Sequence, residues 1–418
     1  MSPNYRILFL APTGFFADYG CHVRIRGQAE ALQARGHQVL ICTYPGGRDL
    51  PGLTTVRPPL WPRGREMPVG SSWLKLALDA ALTPTAFVAA LRFHPHLVHA
   101  FLHEGALIGA ALARLLRCPL IFDFQGSLTA EMLDHRFISE RSPFLRPLRW
   151  LEQHINRWPA AVLASSYHAV RLLTEEHGLP PGRVQALPDS VDAAHFRPPD
   201  EQERAALVEL RRSLAIPAGR RLVVYLGLLA EYQGIDLLLH AARILADDYP
   251  HLAPHLLVMG FPFVDRYRRQ AAALGLAERV TFTGKIPYED APRVLALGDV
   301  AVAPKLSATE GSGKLLTYMA VALPVAAFDT PVHREYLGDL GIYAPPGDAA
   351  GLARALAALL DDPQDAARRG QALRQRVIAH YTWAQAAAVI EATYQAVLGE
   401  SGHPVYTPDG KRKPCRKR

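Results

Sequence analysis

AVAPKLSATEGSGKLLTYMAVALPVAAFDTPVHREYL, residues 301–337, reads as a short buried strand at 300–303, a small-residue loop, a helix over 314–320 and, after Pro324, a second buried strand at 325–328. The loop holds one acid, Glu310, and two glycines, Gly311 and Gly313. A glycine-bearing loop that opens a helix presents unpaired backbone N–H groups and the positive end of the helix dipole. That arrangement suits a phosphate or another anion. It also describes an ordinary strand–loop–helix crossover, so the rest of the chain has to decide.

The chain has 418 residues, more than the ~250–300 at which a single core usually splits, so two domains are expected. A mean hydropathy of +0.02 is ordinary for a soluble globular protein. The cysteines Cys21, Cys42, Cys118 and Cys415 are far apart and show no metal-ligand spacing, which fits thiols in a reducing compartment better than a disulfide framework. No uninterrupted apolar run reaches ~18 residues, so no membrane span is expected. The start, MSPNYRILFLAPTG, lacks the long apolar stretch of a signal peptide and reads as mature protein. Net charge is +7, yet six basic residues fall in the last eight positions, KRKPCRKR, leaving about +1 for the body. No basic stripe is interleaved with aromatics, so nucleic acid is not an expected partner. The tail at 401–418 is expected to be disordered, either touching an anionic membrane or simply solvated.

Outward from the opening stretch, strand and helix patterns alternate. Apolar strands at 6–11 and 38–43 flank a helix at 24–35, and Gly36 ends that helix. Strands at 97–100, 119–124, 161–165 and 184–187 follow, separated by helices at 72–91, 105–116, 147–157 and 169–177. The segment LPDSVDAAHFRPPDEQE (187–203) interrupts the rhythm with turn formers. Strands at 221–226, 255–259 and 280–283 then alternate with helices at 235–248, 265–274 and 288–297. Helices at 349–360, 363–381 and 383–398 close the chain. Such alternation gives parallel sheets covered by helices on both faces. The expected architecture is α/β, with two Rossmann-like doubly wound domains facing a cleft. They are 1–197 and 198–382. The helix within 383–400 is expected to pack back on the first domain. Ligands in such sheets bind outside the carboxyl ends of the strands.

The ordered set RILFLAP, GCHVRIRGQAEALQARGHQV, LPDSVDAAHFRP, VVYLGLLAEYQGIDLLLHAARIL, VTFTGKIPYED, the opening stretch and PPGDAAGLARALAALLDDP…VIAHYTW resembles the retaining glycosyltransferases of the GT-B type, family 4 (glycosyl transferases group 1), over roughly residues 5–398. The resemblance implies that a nucleotide-sugar lies on the C-terminal domain and an acceptor on the N-terminal domain. The sugar would pass between them without a metal or further cofactor, its anomeric configuration retained. The leaving nucleoside diphosphate then needs N–H donors, a helix N-terminus or cations.

Three sets of residues answer to that demand. At residues 18–21 (DYGC) the family has a glycine pair; this chain keeps Gly20 and has Cys21 in place of the second glycine. After two strands of the first domain, HAFLHEGA and FDFQGSLTAEM bring His99, His103, Glu104, Asp123, Gln125, Gly126, Ser127 and Glu131. Many relatives carry a histidine where Gln125 stands, and glutamine can hydrogen-bond but not shuttle a proton near neutrality. A transfer in which the leaving phosphate oxygen takes the acceptor proton would not need that histidine. His103, Gln125 and Glu310 are the catalytic candidates. Asp123 and Glu131, with Gly126 and Ser127, are the acceptor-side candidates, and the two acids would hold an acceptor hydroxyl or cap the next helix.

The third set is GLLAEYQGID (227–236) with the opening stretch. Relatives commonly place an arginine and a lysine on the diphosphate where this chain has Leu228 and Gln233. A family branch with Glu-Tyr-Gln-Gly also carries Lys-x-x-Ser/Thr-Tyr in the later loop, and both occur here: Glu231, Tyr232, Gln233, Gly234, then Lys314, Thr317, Tyr318. The two departures come together, as in a variant site rather than a decayed one. The resemblance puts Glu310 at the sugar and leaves Thr317 or Tyr318 where a ribose-binding acid is usual. Gly260, Gly311, Ser312 and Gly313 complete the donor set, and Lys314 is the compensating cation. Ala322 replaces a glycine that follows the helix; if left-handed geometry is needed there, alanine costs about 1 kcal/mol.

The expected function is glycosyl transfer from a nucleotide-diphosphate sugar to a glycan, polysaccharide or lipid-linked acceptor, in the cytoplasm or on the inner face of its membrane. A sugar-nucleotide epimerase on the same frame and a non-catalytic nucleotide-sugar-binding partner protein are the alternatives. Arg141, Arg146, Arg149 and Arg157 with Phe144, Leu145, Leu148, Trp150 and Trp158 suit either peripheral docking on anionic lipid or a helix with snorkelling arginines.

Overall fold

The structure, a computed structural model, describes residues 4–59, 74–307 and 309–399; the expected basic tail at 401–418 lies outside them. By their contacts the residues form two units. One is Met1–Asp189 with Thr309–Gly311 and Trp383–Arg418, the other Ser190–Ala308 with Ser312–Thr382. The division falls several residues before 197 because Val191 and Phe196 belong to the second core, where Val191 N–H donates to Tyr381 O (2.9 Å).

In the first unit the strands are β1 (Arg6–Ala11), β2 (Gln38–Thr43), β3 (Thr54–Val56), β4 (Leu97–Phe101), β5 (Leu120–Phe124), β6 (Ala161–Ala164) and β7 (Val184–Ala186). They form one parallel sheet in the order β3-β2-β1-β4-β5-β6-β7. Its strands β4 and β5 are buried at every residue, as expected when helices cover both faces. The covering helices are α1 (Gly20–Ala34), α2 (Leu74–Phe93), α3 (Leu102–Leu116), α4 (Leu128–Asp134), α5 (Leu145–Arg157) and α6 (Tyr167–Arg171). By length and composition alone α2 would suit a membrane span, although it is not an uninterrupted apolar run. Its Leu78, Leu82, Ala86, Ala89 and Ala90 instead lie in the core of this unit.

The second unit opens with α7 (Glu201–Ser213), absent from the sequence reading. Asp200 and Glu203 form a reciprocal capping box there, so a residue read as a turn former starts a helix. No residue of α7 is buried, which removed the apolar periodicity that would have announced it. Strands β8 (Arg221–Leu226), β9 (Pro254–Met259), β10 (Val280–Gly284), β11 (Val300–Ala303), β12 (Val325–Phe328) and β13 (Ile342–Ala344) make a parallel sheet ordered β10-β9-β8-β11-β12-β13. Helices α8 (Ile235–Asp248), α9 (Val264–Ala273), α10 (Ala291–Leu295), α11 (Gly313–Ala320), α12 (Pro331–Leu337), α13 (Ala349–Asp361) and α14 (Pro363–His380) surround it. The final helix, α15 (Trp383–Leu398), belongs to the first unit. Trp383 lies against Gly27 so closely that a Cβ there would meet its ring at 2.1 Å, and Tyr394 Oη lies 2.6 Å from His99 Nδ1.

Ala322 does adopt the left-handed conformation (φ 62°). The turn it makes brings its carbonyl against Gly370, where a Cβ would lie 2.0 Å from that oxygen.

Candidate functional site

Each sheet reverses its strand order once, between β1 and β4 in the first unit and between β8 and β11 in the second. The carboxyl ends of the strands at such a reversal are where open α/β sheets bind ligands.

At the second reversal, β8 runs into Gly227 and the turn Glu231–Gln233, while β11 runs into the loop that ends at α11. Lys314, in the first turn of α11, reaches back to that turn. Its Nζ donates to Gln233 Oε1 (2.7 Å) and to Tyr225 Oη (3.2 Å) and sits 4.5 Å from the Tyr225 ring centroid. The Glu-Tyr-Gln-Gly turn and Lys314 therefore touch: the side-chain carbonyl of Gln233 holds a lysine from the other loop. Gly227 lies so near that a Cβ would stand 2.8 Å from Lys314 Nζ. Gly234 has φ 77°, and a Cβ on it would meet Pro304 O at 1.9 Å, so glycine is required by the close approach of β11's loop.

Other expected donor residues have duties within the chain. Glu231 pairs with Arg266 on α9 (2.9 Å). Gly260 makes room for the Gly227 carbonyl, which would lie 2.2 Å from a Cβ. Thr317 Oγ1 donates to Lys314 O (2.7 Å). Tyr318 is fully buried; its hydroxyl accepts from Leu226 N–H (2.7 Å) and donates to Leu226 O (3.3 Å), so it ties α11 to β8 and is not placed for a ribose. Ser312, beside Gly313 at the start of α11, is buried with Oγ 3.4 Å from His333 Nε2. The Phe328 carbonyl accepts from His333 Nδ1 (2.7 Å), leaving Nε2 as the acceptor. Burial above all, helped by the nearby lysines 305 and 314, pushes the His333 imidazole down to about 4, so it is neutral at pH 7.

At the first reversal, α1 begins at Gly20, earlier than the sequence reading placed it. Among the described residues a Cβ at Gly20 would meet nothing within 4 Å, so packing among them does not call for glycine there. Burial pushes the Cys21 thiol up to about 11, which keeps it an inert thiol. Asp123 is not available to an acceptor. It is fully buried and takes both its oxygens to Arg24 Nε (2.9 and 3.1 Å), with Gln28 Nε2 at 2.6 Å. Arg24 further donates to Asp189 Oδ1 (3.0 Å) and Leu187 O (2.8 Å). Sequence reasoning missed Arg24; its position one residue before Ile25, four before Gln28, on the apolar face of α1, was the available signal.

His103 is a core group. It is buried between Phe122 and Phe124, with Nε2 3.8 Å from Glu152 Oε1. Glu152 in turn accepts from Leu128 N–H and Thr129 N–H (both 3.1 Å), so this pair supports the start of α4. Burial keeps His103 below its usual value; despite burial, His103 and hydrogen bonds from Thr129 and Ser127 hold Glu152 below its own. Ser127 caps α4, accepting from Ala130 N–H (3.2 Å). Gln125, at the carboxyl end of β5, keeps a buried Nε2 with no partner among the described residues. Glu310 and Gly311 pack with this unit: a Cβ at Gly126 would lie 3.2 Å from Glu310 Cγ, and one at Gly311 would lie 2.5 Å from Asp189 Oδ2. Glu131 lies on α4, near Lys75, whose Nζ is 3.5 Å from Glu104 Oε1. Tyr44 Oη donates to Asp79 (2.6 Å) on the same edge. Among the described residues no group of three or more His, Cys, Asp or Glu is placed to hold a metal.

Residues 19–189 match the model of the glycosyl transferase 4-like domain, and residues 220–362 that of the glycosyl transferases group 1. The 2-deoxystreptamine N-acetyl-D-glucosaminyltransferase of Streptomyces fradiae is 30% identical over 376 residues, 84% of this chain and 85% of that protein. The chain belongs to the group 1 glycosyl transferases. As a group 1 glycosyltransferase it also has the family's frame. The sucrose-phosphate synthase of Thermosynechococcus elongatus superposes with a TM-score of 0.79 at 20% identity, over 94% of this chain and all of that one. Anabaena Alr3699/HepE, solved in complex with UDP, does so at 0.72 and 17% identity, over 94% of this chain and 100% of its own. The fold of this glycosyltransferase is the two-Rossmann-domain GT-B fold.

Proposed function

We propose that this glycosyltransferase moves a sugar from a nucleotide-diphosphate donor to a hydroxyl of a glycan or lipid-linked acceptor, with retention and without a metal. The observation that carries the donor reading is Lys314, held by Gln233 and Tyr225 at the strand reversal of the second sheet. Its ammonium faces the negative charge that grows on the leaving pyrophosphate, and the N–H groups at the start of α11 add to it. The bond from C1 to the phosphate oxygen breaks as the bond to the acceptor oxygen forms, and the acceptor proton passes to the departing phosphate oxygen. Glu310 contacts the sugar and steadies positive charge at C1. The UDP bound by the Anabaena protein of like fold makes a uridine donor the first to test.

A panel of UDP-, GDP- and ADP-sugars, read by saturation-transfer NMR and then by turnover, tests this. Binding of one donor, sugar transfer that survives EDTA, and loss of turnover in Glu310→Gln with binding kept are the expected results. Binding of none overturns the transferase reading. Binding without transfer to any acceptor supports a partner protein instead.

A lipid-linked acceptor at the inner face of the cytoplasmic membrane is favoured by the outer side of α5. Leu145, Glu152, Ile155 and Asn156 point into the core, while Arg146, Arg149 and Arg157 are exposed beside Trp150 (61% exposed) and Phe144 (68%). Cations around exposed aromatic rings suit an anionic lipid surface. Co-sedimentation with phosphatidylglycerol vesicles that is lost in R146E/R149E is the expected outcome; equal binding to neutral phosphatidylcholine vesicles overturns it.

A further inference from the structure

The amino ends of the second sheet, at the other end of the strands from Lys314, gather positive charge. Arg220 stands directly before β8 and Arg279 directly before β10, with His255 as the second residue of β9 between them. The register keeps them side by side: His255 lies opposite Leu222 on β8, and Leu256 N–H donates to Arg279 O (2.8 Å). Arg211 reaches in from α7, its Nη2 donating to Arg220 O (2.7 Å) and Pro217 O (3.0 Å). His255 is only 4% exposed, the arginines are half-buried, and His255 and Arg279 share the wall of one small cavity.

His255 Nδ1, Arg211 Nε and Arg279 Nη1 are buried without a hydrogen-bond partner among the described residues. Buried donors are almost always matched by an acceptor, and a guanidinium can only donate. The carboxylates near in the chain are spent elsewhere or exposed. Glu209 pairs with Arg212, Asp299 accepts from Leu222 N–H (2.7 Å) and lies 3.8 Å from Arg221, and Glu278 is exposed. Thr281 Oγ1 lies 2.9 Å from His255 Nε2; with that hydroxyl donating, Nδ1 carries the ring hydrogen and is a further donor. Burial first, then Arg220, Arg211 and Arg279, push the His255 imidazole down to about 4, so every charge that bears on it is positive.

We propose that Arg211, Arg220 and Arg279, with the Nδ1–H of His255, bind a phosphate dianion at the amino ends of β8, β9 and β10. Guanidinium forks match phosphate oxygens in pairs, and several of them around one imidazole call for more than a single negative charge. The ligand is inorganic phosphate or the phosphate monoester of a small molecule, which share that dianion. The site does not rest on the donor reading, since it lies at the opposite end of the sheet.

The full chain with 15N-labelled histidine, titrated with inorganic phosphate and with glycerol 3-phosphate at constant ionic strength in chloride, tests this by NMR; His255→Asn assigns the resonance. Saturable movement of the His255 signal is expected. Its pKa should rise from about 4 when the dianion is bound, because the anion cancels the arginines' repulsion of a second ring proton. The tighter of the two ligands identifies the source. Arg220→Gln and Arg279→Gln should each weaken binding by about tenfold or more, the worth of a charge-assisted hydrogen bond. Arg220→Gln breaks no side-chain hydrogen bond among the described residues, so it carries the comparison if Arg279→Gln does not fold. Lys314→Met, which strips the donor edge, should leave the His255 movement as it is. A His255 signal that neither ligand moves overturns the proposal, as does binding that survives the arginine changes or is lost with Lys314.

Discussion

The two sheets share a parallel order with one reversal, yet their reversals carry opposite chemistry. At the first, a buried arginine is consumed inside the unit: Arg24 joins Asp123, Asp189 and the Leu187 carbonyl, and the surrounding edge is rich in carboxylates, with Asp79, Glu104 and Glu131 near Lys75. At the second, lysines gather among glycines, and the glycines are there because neighbouring loops approach within a Cβ's reach. One edge is thus rich in carboxylates and the other in lysines and close-packed glycines. Strand order decides where a site lies, and the residues just past the strand ends decide its sign.

The comparison can be broken by substitution. Arg24→Met leaves Asp123 buried without its counter-charge and should cost about 3–5 kcal/mol in urea unfolding. Lys314→Met should cost less than about 1 kcal/mol, because Lys314 is only half-buried, while removing turnover. If both lysine and arginine prove equally structural, the contrast between the edges is wrong.

Acid sharpens it further. Burial pushes His99 in the first unit and His255 and His333 in the second down to about 4. These imidazoles are protonated more readily in the unfolded chain, near 6.5, so each withdraws stability as pH falls from about 6.5 towards 4. At pH 5 the loss is about 2 kcal/mol for each. A melting temperature that stays flat between pH 7 and pH 5 would contradict this; His99→Asn should shrink the drop. The smallest effect concerns Ala322 at φ 62°. Ala322→Gly should stabilise the second unit by about 0.5–1 kcal/mol, read as a raised denaturant midpoint.

Much of the fold was legible because buried parallel strands are continuous apolar runs and their helices are periodic. The strands Arg6–Ala11, Gln38–Thr43, Arg221–Leu226, Val300–Ala303 and Val325–Phe328 stand where the sequence places them. What escaped were elements without such a signal. Thr54–Val56 is three residues at a sheet edge, and α7 buries no residue. With Pro292 in its first turn, α10 runs only over Ala291–Leu295, shorter than the apolar pattern of 288–297 implied.

For the site, the sequence by itself determined which residue types stand past the strand ends: the Glu-Tyr-Gln-Gly turn, Lys314, Gln125 and Glu310. Only the tertiary structure decided which side chains are consumed. Asp123 looked like an acceptor ligand and is the counter-charge of Arg24. His103 looked catalytic and is packed between Phe122 and Phe124. Tyr318 looked like the place of a ribose acid and is bonded to Leu226. The reason is physical: a polar group's role depends on which partner reaches it across many residues of chain, and sequence spacing does not record that distance. The Lys314–Gln233 bond spans 81 residues and the Arg24–Asp123 pair 99; each is a contact made only when two loops from different strands meet at the end of a sheet.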